Sequence, residues 1–107
     1  MSRRIILHAA AFRDLDETSA YIGENSPRAS VRFLEAAQRA FRRLADMPGL
    51  GAPRDYDNPA LAGLRMMPIP GFQKYGVYYL TTAETVEILR VVHGARDINA
   101  LFGQKEE

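Results

Sequence analysis

Residues 63–97 read GLRMMPIPGFQKYGVYYLTTAETVEILRVVHGARD, and this stretch decides the fold. It is rich in the β-branched and aromatic residues that favour strands, and Pro, Gly and Thr interrupt it at two points. The pattern predicts three consecutive strands, at Leu64–Ile69, Phe72–Thr81 and Thr85–His93. Because antiparallel neighbours bring distant residues together on one sheet, the cationic side chains that recur strand by strand are expected to lie close to one another.

The first half of the chain predicts a strand followed by a helical hairpin. Arg4–His8 is rich in Ile and Leu, and it is predicted to be a short strand buried on both faces. A helix follows and stops near Gly23. Ser26 and Pro27 open a second helix, because Ser caps free amides and Pro has no amide to lose at the first position. The apolar stripes of the two helices are Phe12, Leu15, Ser19 and Ile22 in the first, and Phe33, Leu34, Ala37, Phe41 and Leu44 in the second.

A long loop separates the hairpin from the three strands. Met47–Ala62 starts with the Pro48-Gly49 pair that ends the second helix, and it shows no periodicity. Asp97–Phe102 is predicted to form a last helical turn that ends at Gly103. The order is therefore β-α-α-β-β-β, an α+β fold in which a helical hairpin packs on a small, mainly antiparallel sheet. At this length we expect one domain, residues 1–107.

Composition restricts the setting and the partners. The chain has no Cys, which excludes disulfides and thiolate metal sites and indicates a reducing, cytoplasmic environment. No apolar run is long enough to span a membrane, and the apolar N-terminal stretch is too short for a signal peptide. The formal net charge is +1, and neither half of the chain is strongly basic. Proteins that grip nucleic acid through its phosphates carry a basic excess, so direct, specific DNA binding by this chain alone is not expected.

Five groups of residues, in the right order along the chain, resemble the ParE branch of the RelE/ParE toxin superfamily. They are Ser26-Pro27 with Phe33-Leu34, Pro48-Gly49-x-Gly51, Gly63-Leu64-Arg65, Phe72-x-Lys74-Tyr75-x-Val77-Tyr78-Tyr79, and Ile88-Leu89-Arg90-Val91-Val92-His93-Gly94-x-Arg96-Asp97. The resemblance implies a toxin of a type II toxin-antitoxin system, held in a hetero-oligomer by a small ParD-like antitoxin that neutralises it. It also implies two possible targets, because ParE-type toxins poison DNA gyrase whereas RelE-type toxins cut mRNA on the ribosome.

The chemistry of RNA cleavage helps to choose between those targets. Attack by a 2′-hydroxyl needs a base, an acid and cations that hold the phosphate. Arg65 and Arg90 are candidates to hold a phosphate, and His93 is a candidate to move a proton. Many RelE-like toxins use a Tyr near the C-terminus, but no Tyr follows Tyr79 here, and Phe102 has no hydroxyl. Inhibition of gyrase by binding, without catalysis, is therefore the preferred prediction, and a ribosome-dependent mRNA endoribonuclease is the alternative.

The predicted target-binding or antitoxin-binding residues are Arg65, Lys74, Tyr75, Arg90, His93 and Arg96. Several of them also have a purely structural interpretation. Arg65 and Arg90 can pair with Glu87 or with Asp97, because strand arginines often pair across a sheet. His93, at a strand end, can be a hydrogen-bonded turn residue.

Three further expectations concern the surface. Asp14, Asp16 and Glu17 are interpreted as a solvated helix face and not as a metal site, because no His or Cys stands nearby to complete one. No metal and no cofactor are expected. Lys74 can be an edge charge that discourages aggregation. The amphipathic hairpin is expected to leave an apolar groove beside the strands, which an antitoxin helix or strand would cover.

Overall fold

The structure is a computed structural model that describes residues 2–96 and 98–103. The chain begins with strand β1 and two helices, and the remaining strands and a short helix follow. The elements are β1 (Arg4–Leu7), α1 (Ala9–Gly23), α2 (Pro27–Asp46), β2 (Ala52–Pro53), a 3₁₀ turn (Pro59–Leu61), β3 (Arg65–Ile69), β4 (Phe72–Thr81), β5 (Thr85–His93) and α3 (Ile98–Phe102). This order confirms the predicted α+β fold, with one additional short strand.

The five strands form one sheet, in the order β1-β5-β4-β3-β2. β1 runs parallel to β5, and the other neighbours are antiparallel. The last three strands form a continuous meander, as predicted, because a tight turn with Gly71 at φ +84° joins β3 to β4. A second turn, in which Thr82 accepts the backbone amide of Thr85, joins β4 to β5.

The helical hairpin closes where the sequence predicts. Ser26 accepts the amide of Ala29 at 3.1 Å, and Pro27 occupies the first position of α2. Ser30 donates to the carbonyl of Ser19 at 2.7 Å, which ties α2 to the end of α1. The two helices therefore pack side by side on one face of the sheet.

The main core lies between α2 and that face. Its buried positions on α2 recur at helical spacing and meet the inward side chains of β3, β4 and β5. Phe33 contacts the rings of Phe72 and Tyr75 edge-on, each with a centroid separation of 5.4 Å. The fully buried members include Ala11, Phe33, Ala40, Leu44, Ile69, Val77, Tyr79, Val86 and Ile88.

The opposite face of the sheet is also covered in part. Leu64, Tyr78, Val92 and Phe102 form a second, smaller core, which the loop before β3 and helix α3 complete. The ring of Phe102 packs on Tyr78 at 5.0 Å and on Tyr56 at 5.5 Å. α3 forms one helical turn that ends at Gly103, at φ +91°, as predicted. The loop before β3 and helix α3 therefore cover part of this face of the sheet.

Two sequence predictions need correction. β1 is not buried on both faces, because it is an outermost strand, and Ile6 remains 38% exposed. The segment Met47–Ala62, predicted to be a long surface loop, is not a loop throughout, because Ala52–Pro53 pairs with Met66 and Arg65 as the opposite outer strand. A strand of two residues carries too little periodicity to be recognised in a sequence.

In the described residues, no helix is long and apolar enough to cross a bilayer.

Candidate functional site

The site lies at the end of β5 that extends beyond its pairing with β1. β1 pairs with β5 as far as Ile88, and His8 then donates its amide to the carbonyl of Ile88 at 2.9 Å. The chain turns there into α1, so the end of β5 faces a helix and not a strand. Asp14 of α1 accepts the amide of Val91 at 3.0 Å. Its carboxylate thus satisfies a backbone donor that would otherwise need another strand.

The same carboxylate holds Arg90. The Arg90 Nε donates to Asp14 Oδ2 at 2.7 Å, and Nη2 donates to Oδ1 at 2.8 Å, which is a bidentate pair. The two side chains are 19% and 5% exposed. The hydrogen bond to Asp14 raises the pKa of Arg90, although burial opposes that shift, and the charges of Asp14 and Glu17 add to it. Arg90 is therefore fixed as a cation against α1.

These contacts correct two structural interpretations. Arg90 pairs with Asp14 and not with Glu87, whose carboxylate lies 3.0 Å from the Nε2 of His8. Asp97, the other predicted partner, lies outside the described residues. Asp14 does not belong to a solvated helix face, because it is buried. In the structure, Asp14 stands three residues after the fully buried Ala11 and so shares its helix face.

Arg65 is also engaged, at a different place. Its Nη1 donates to the carbonyl of Gly51 at 2.6 Å and to that of Gly49 at 3.3 Å. Beside it, the Tyr79 hydroxyl donates to the carbonyl of Pro48 at 2.7 Å and accepts the amide of Gly51 at 2.8 Å. Arg65 and Tyr79 together anchor the loop that leads to β2. Of its two predicted acidic partners, only Glu87 lies in the described part of the chain, and Arg65 does not pair with it.

The sheet register separates Arg65 from His93. Arg65 lies opposite Tyr79 on β4, whereas His93 lies opposite Tyr75. Four residues along β4 correspond to about 13 Å, and the two strand spacings from β3 to β5 add about 10 Å across the sheet. The expected grouping of Arg65 with His93 is therefore wrong.

Three of the predicted site residues do come together. Tyr75, His93 and Arg96 line a pocket of about 180 Å³ between α1 and the end of β5. We call this the His93 pocket; the residues that complete it are Asp14, Glu17, Thr18, Tyr21, Val91 and Val92. Lys74 is exposed directly beside Tyr75, and its carbonyl accepts the amide of Gly94 at 2.7 Å. The sequence did not single out Tyr21 or Thr18, because the helix-to-strand contact that brings them here is tertiary.

The chemistry of His93 is set by its own turn. The backbone amide of Ala95 donates to His93 Nδ1 at 2.9 Å. An amide only donates, so Nδ1 carries no proton in this arrangement, and the proton of the neutral ring stands on Nε2. The ring also contacts Tyr75 edge-on at 5.1 Å. Burial, and then the proximity of Tyr21, raise the pKa of Tyr75, so its hydroxyl stays protonated and can donate.

The described residues contain no group of three or more His, Cys, Asp or Glu side chains that could hold a metal ion.

Comparison with known proteins gives the family. Residues 5–98 match the family model described as ParE toxin of type II toxin-antitoxin system, parDE. The chain belongs to the ParE toxin family. A solved structure described as the chromosomal ParDE TA system from P. aeruginosa has a similar fold, with a TM-score of 0.67 and 17% sequence identity. The match covers 86% of this chain and 96% of that chain. A search of curated proteins found no match.

Membership of the ParE family confirms the predicted resemblance and makes this chain a toxin of a type II system. A ParD antitoxin is the partner that such a system implies. An apolar groove of about 370 Å³ lies between α1 and α2. Phe12 and Leu34 stand at this groove with 65% and 38% of their surface exposed, and Leu7 of β1 contributes to its lining. The groove therefore lies within the hairpin and reaches the outermost strand.

Proposed function

We propose that this ParE family member inhibits DNA gyrase in the cytoplasm by binding to it, without catalysis, and that a ParD-like antitoxin neutralises it. The observation that carries the proposal is the state of the two arginines that a nuclease would need. Arg90 is held by Asp14, and Arg65 is held by the carbonyls of Gly51 and Gly49. The charge of Arg90 is therefore paired with a carboxylate, and Arg65 already uses its Nη1 to anchor the loop before β2.

The position of His93 supports the same proposal. A general base must offer a free nitrogen, but Nδ1 of His93 already accepts an amide and Nε2 carries the proton of the neutral ring. Arg65 is also too distant from His93 for both to act on one phosphate. The endoribonuclease alternative would therefore need a different set of residues from the one that the sequence suggested.

We further propose that the toxic surface lies at the end of the sheet that carries Lys74, Tyr75, His93 and Arg96. Lys74 and Arg96 are exposed, and no described residue forms an ion pair with either of them. They flank the ring pair of Tyr75 and His93. Aromatic and cationic side chains grouped in this way are typical of protein-binding hot spots.

The antitoxin is proposed to occupy the groove between α1 and α2. Exposed apolar side chains such as Phe12 and Leu34 favour a partner segment that is itself amphipathic. β1 adds a second means of contact, because an outermost strand offers backbone groups to an added strand. An antitoxin that uses both would cover the hairpin while remaining one flexible segment.

A supercoiling assay tests the inhibition. We expect the purified toxin to block supercoiling by gyrase or to trap cleaved DNA, and to leave mRNA intact on translating ribosomes. Addition of the antitoxin should restore supercoiling. Codon-dependent mRNA cuts that disappear in His93→Ala, together with unaffected gyrase, would establish the endoribonuclease alternative.

Antitoxin binding tests the groove separately. Phe12→Asp places a charge where an apolar contact is expected, so it should weaken antitoxin affinity by at least about 30-fold. Val31→Asp is the matched control, because Val31 is 58% exposed on α2 but does not line the groove. Isothermal titration calorimetry measures both variants. Equal affinities for the two would refute the proposed docking site.

A further inference from the structure

Two groups that can only donate hydrogen bonds line the His93 pocket without a partner among the described residues: the Nε2–H of the neutral His93 ring and the guanidinium of Arg96. No hydrogen bond to a described residue occupies the hydroxyl of Tyr75 either. The same holds for the hydroxyls of Thr18 and Tyr21, which also line the pocket. These groups surround a space of about 180 Å³, which accommodates a side-chain end but not a folded segment.

Of the two carboxylates that line the pocket, Asp14 is already engaged. Asp14 uses one oxygen for Arg90 and Val91 and the other for Arg90 again. Glu17 is the remaining carboxylate, and part of its field acts on Arg90, whose pKa it helps to raise. The Nε2–H of His93 and the guanidinium of Arg96 therefore favour a ligand that accepts hydrogen bonds.

Charge limits which acceptor fits. The lining carries two carboxylates, Asp14 and Glu17, and the guanidinium of Arg96, and Asp14 is paired with Arg90, which is not itself part of the lining. These four charges cancel, so a group with a single negative charge meets less repulsion than a doubly charged phosphate. The formal net charge of +1 for the whole chain likewise gives no basic field that would attract a phosphate backbone.

We propose that the His93 pocket binds one carboxylate, presented by an Asp or Glu side chain of the protein that the toxin targets. Arg96 supplies a charged donor, and the Nε2–H of His93 and the Tyr75 hydroxyl supply neutral ones. Asp14 lines the pocket, and its pair with Arg90 joins α1 to β5 there. The identity of the protein that carries the carboxylate rests on the proposed function, whereas the preference for a carboxylate does not.

Titration of the full-length chain with small probes tests the preference by NMR. Sodium acetate represents a carboxylate side chain, inorganic phosphate a phosphoryl group, and methylguanidinium a basic side chain, all at constant ionic strength. We expect acetate to shift the His93 Nε2, Arg96 Nε and Tyr75 ring signals together and to saturate. Arg96→Gln should weaken acetate binding about tenfold, because it removes a charge-assisted hydrogen bond.

Glu17→Gln should change the acetate affinity in the direction opposite to Arg96→Gln. Removal of this repelling carboxylate should strengthen acetate binding several-fold, and Arg39→Gln, on the exposed face of α2, should leave it unchanged. A site for a basic side chain would behave in reverse, with methylguanidinium bound and Glu17→Gln weakening it. Tighter binding of phosphate than of acetate, or acetate shifts that never saturate, would also overturn the proposal.

Gyrase inhibition by the same variants separates the two proposals. We expect Arg96→Gln to weaken inhibition about tenfold in parallel with acetate binding, and Arg39→Gln to inhibit fully. If Arg96→Gln loses acetate binding but inhibits fully, the target does not supply the carboxylate and that part of the inference is wrong. If the unaltered toxin does not inhibit gyrase at all, the proposed function fails while the acetate results stand.

Discussion

The Asp14–Arg90 pair offers a sharp test of how the site is built. Asp14→Ala removes the carboxylate that holds Arg90, whose side chain is 19% exposed in the intact protein, and it leaves the amide of Val91 without its acceptor. Breaking a buried pair in this way costs about 3–5 kcal/mol. That is a large share of the roughly 5–15 kcal/mol that stabilise a typical domain. The melting temperature should fall by at least about 12 °C for a chain of this size.

Urea denaturation, monitored by circular dichroism, measures the loss in free energy of unfolding. Two control variants show whether the loss comes from the Asp14–Arg90 pair. Asp16→Ala removes an exposed carboxylate from the same helix and should change the free energy of unfolding by less than about 0.5 kcal/mol. The double variant Asp14→Ala/Arg90→Met should recover part of the loss, because it removes the unpaired charge as well. An Asp14→Ala variant as stable as Asp16→Ala would refute the reasoning that this pair holds α1 against β5.

Three further predictions concern the loop anchor and the cations. Gly51→Ala should lower the free energy of unfolding by about 1–3 kcal/mol, because a Cβ there would stand 2.6 Å from the Tyr79 hydroxyl and 2.9 Å from a backbone oxygen. Gly49→Ala is the control, because a Cβ at that position meets nothing within 4 Å. Tyr79→Phe should cost about 1–3 kcal/mol in the same urea assay, since it leaves a buried amide without its acceptor. Lys74→Glu should stay folded and lose gyrase inhibition, because Lys74 is exposed on the proposed toxic surface. Arg90→Glu should instead lower the melting temperature, because two carboxylates would then face each other at Asp14. Thermal melts and supercoiling assays measure both variants, and an Arg90→Glu variant that melted like the unaltered protein would contradict this prediction.

Much of the fold follows from local patterns in the sequence. The two long strands β4 and β5 were predicted with the bounds that the structure has, because each is long enough for its composition and flanking turns to identify it. The start of α2 was equally predictable, since the Ser26 cap and Pro27 act through local backbone geometry. Short elements did not follow in this way: β2 exists because of its pairing with β3, and β1 was assigned to the interior on composition alone.

The sequence by itself determined the family, the order of elements and which residue types the late strands present. Only the tertiary structure decided which of those residues are free, because the partner of a charged side chain depends on contacts between elements distant in the chain. Arg90 meets Asp14 across 76 residues, and Arg65 meets the carbonyl of Gly51 across a turn of the loop. Within residues 2–96 and 98–103, the donors of Tyr75, His93 and Arg96 have no hydrogen-bond partner, because the helix that faces them leaves a pocket there.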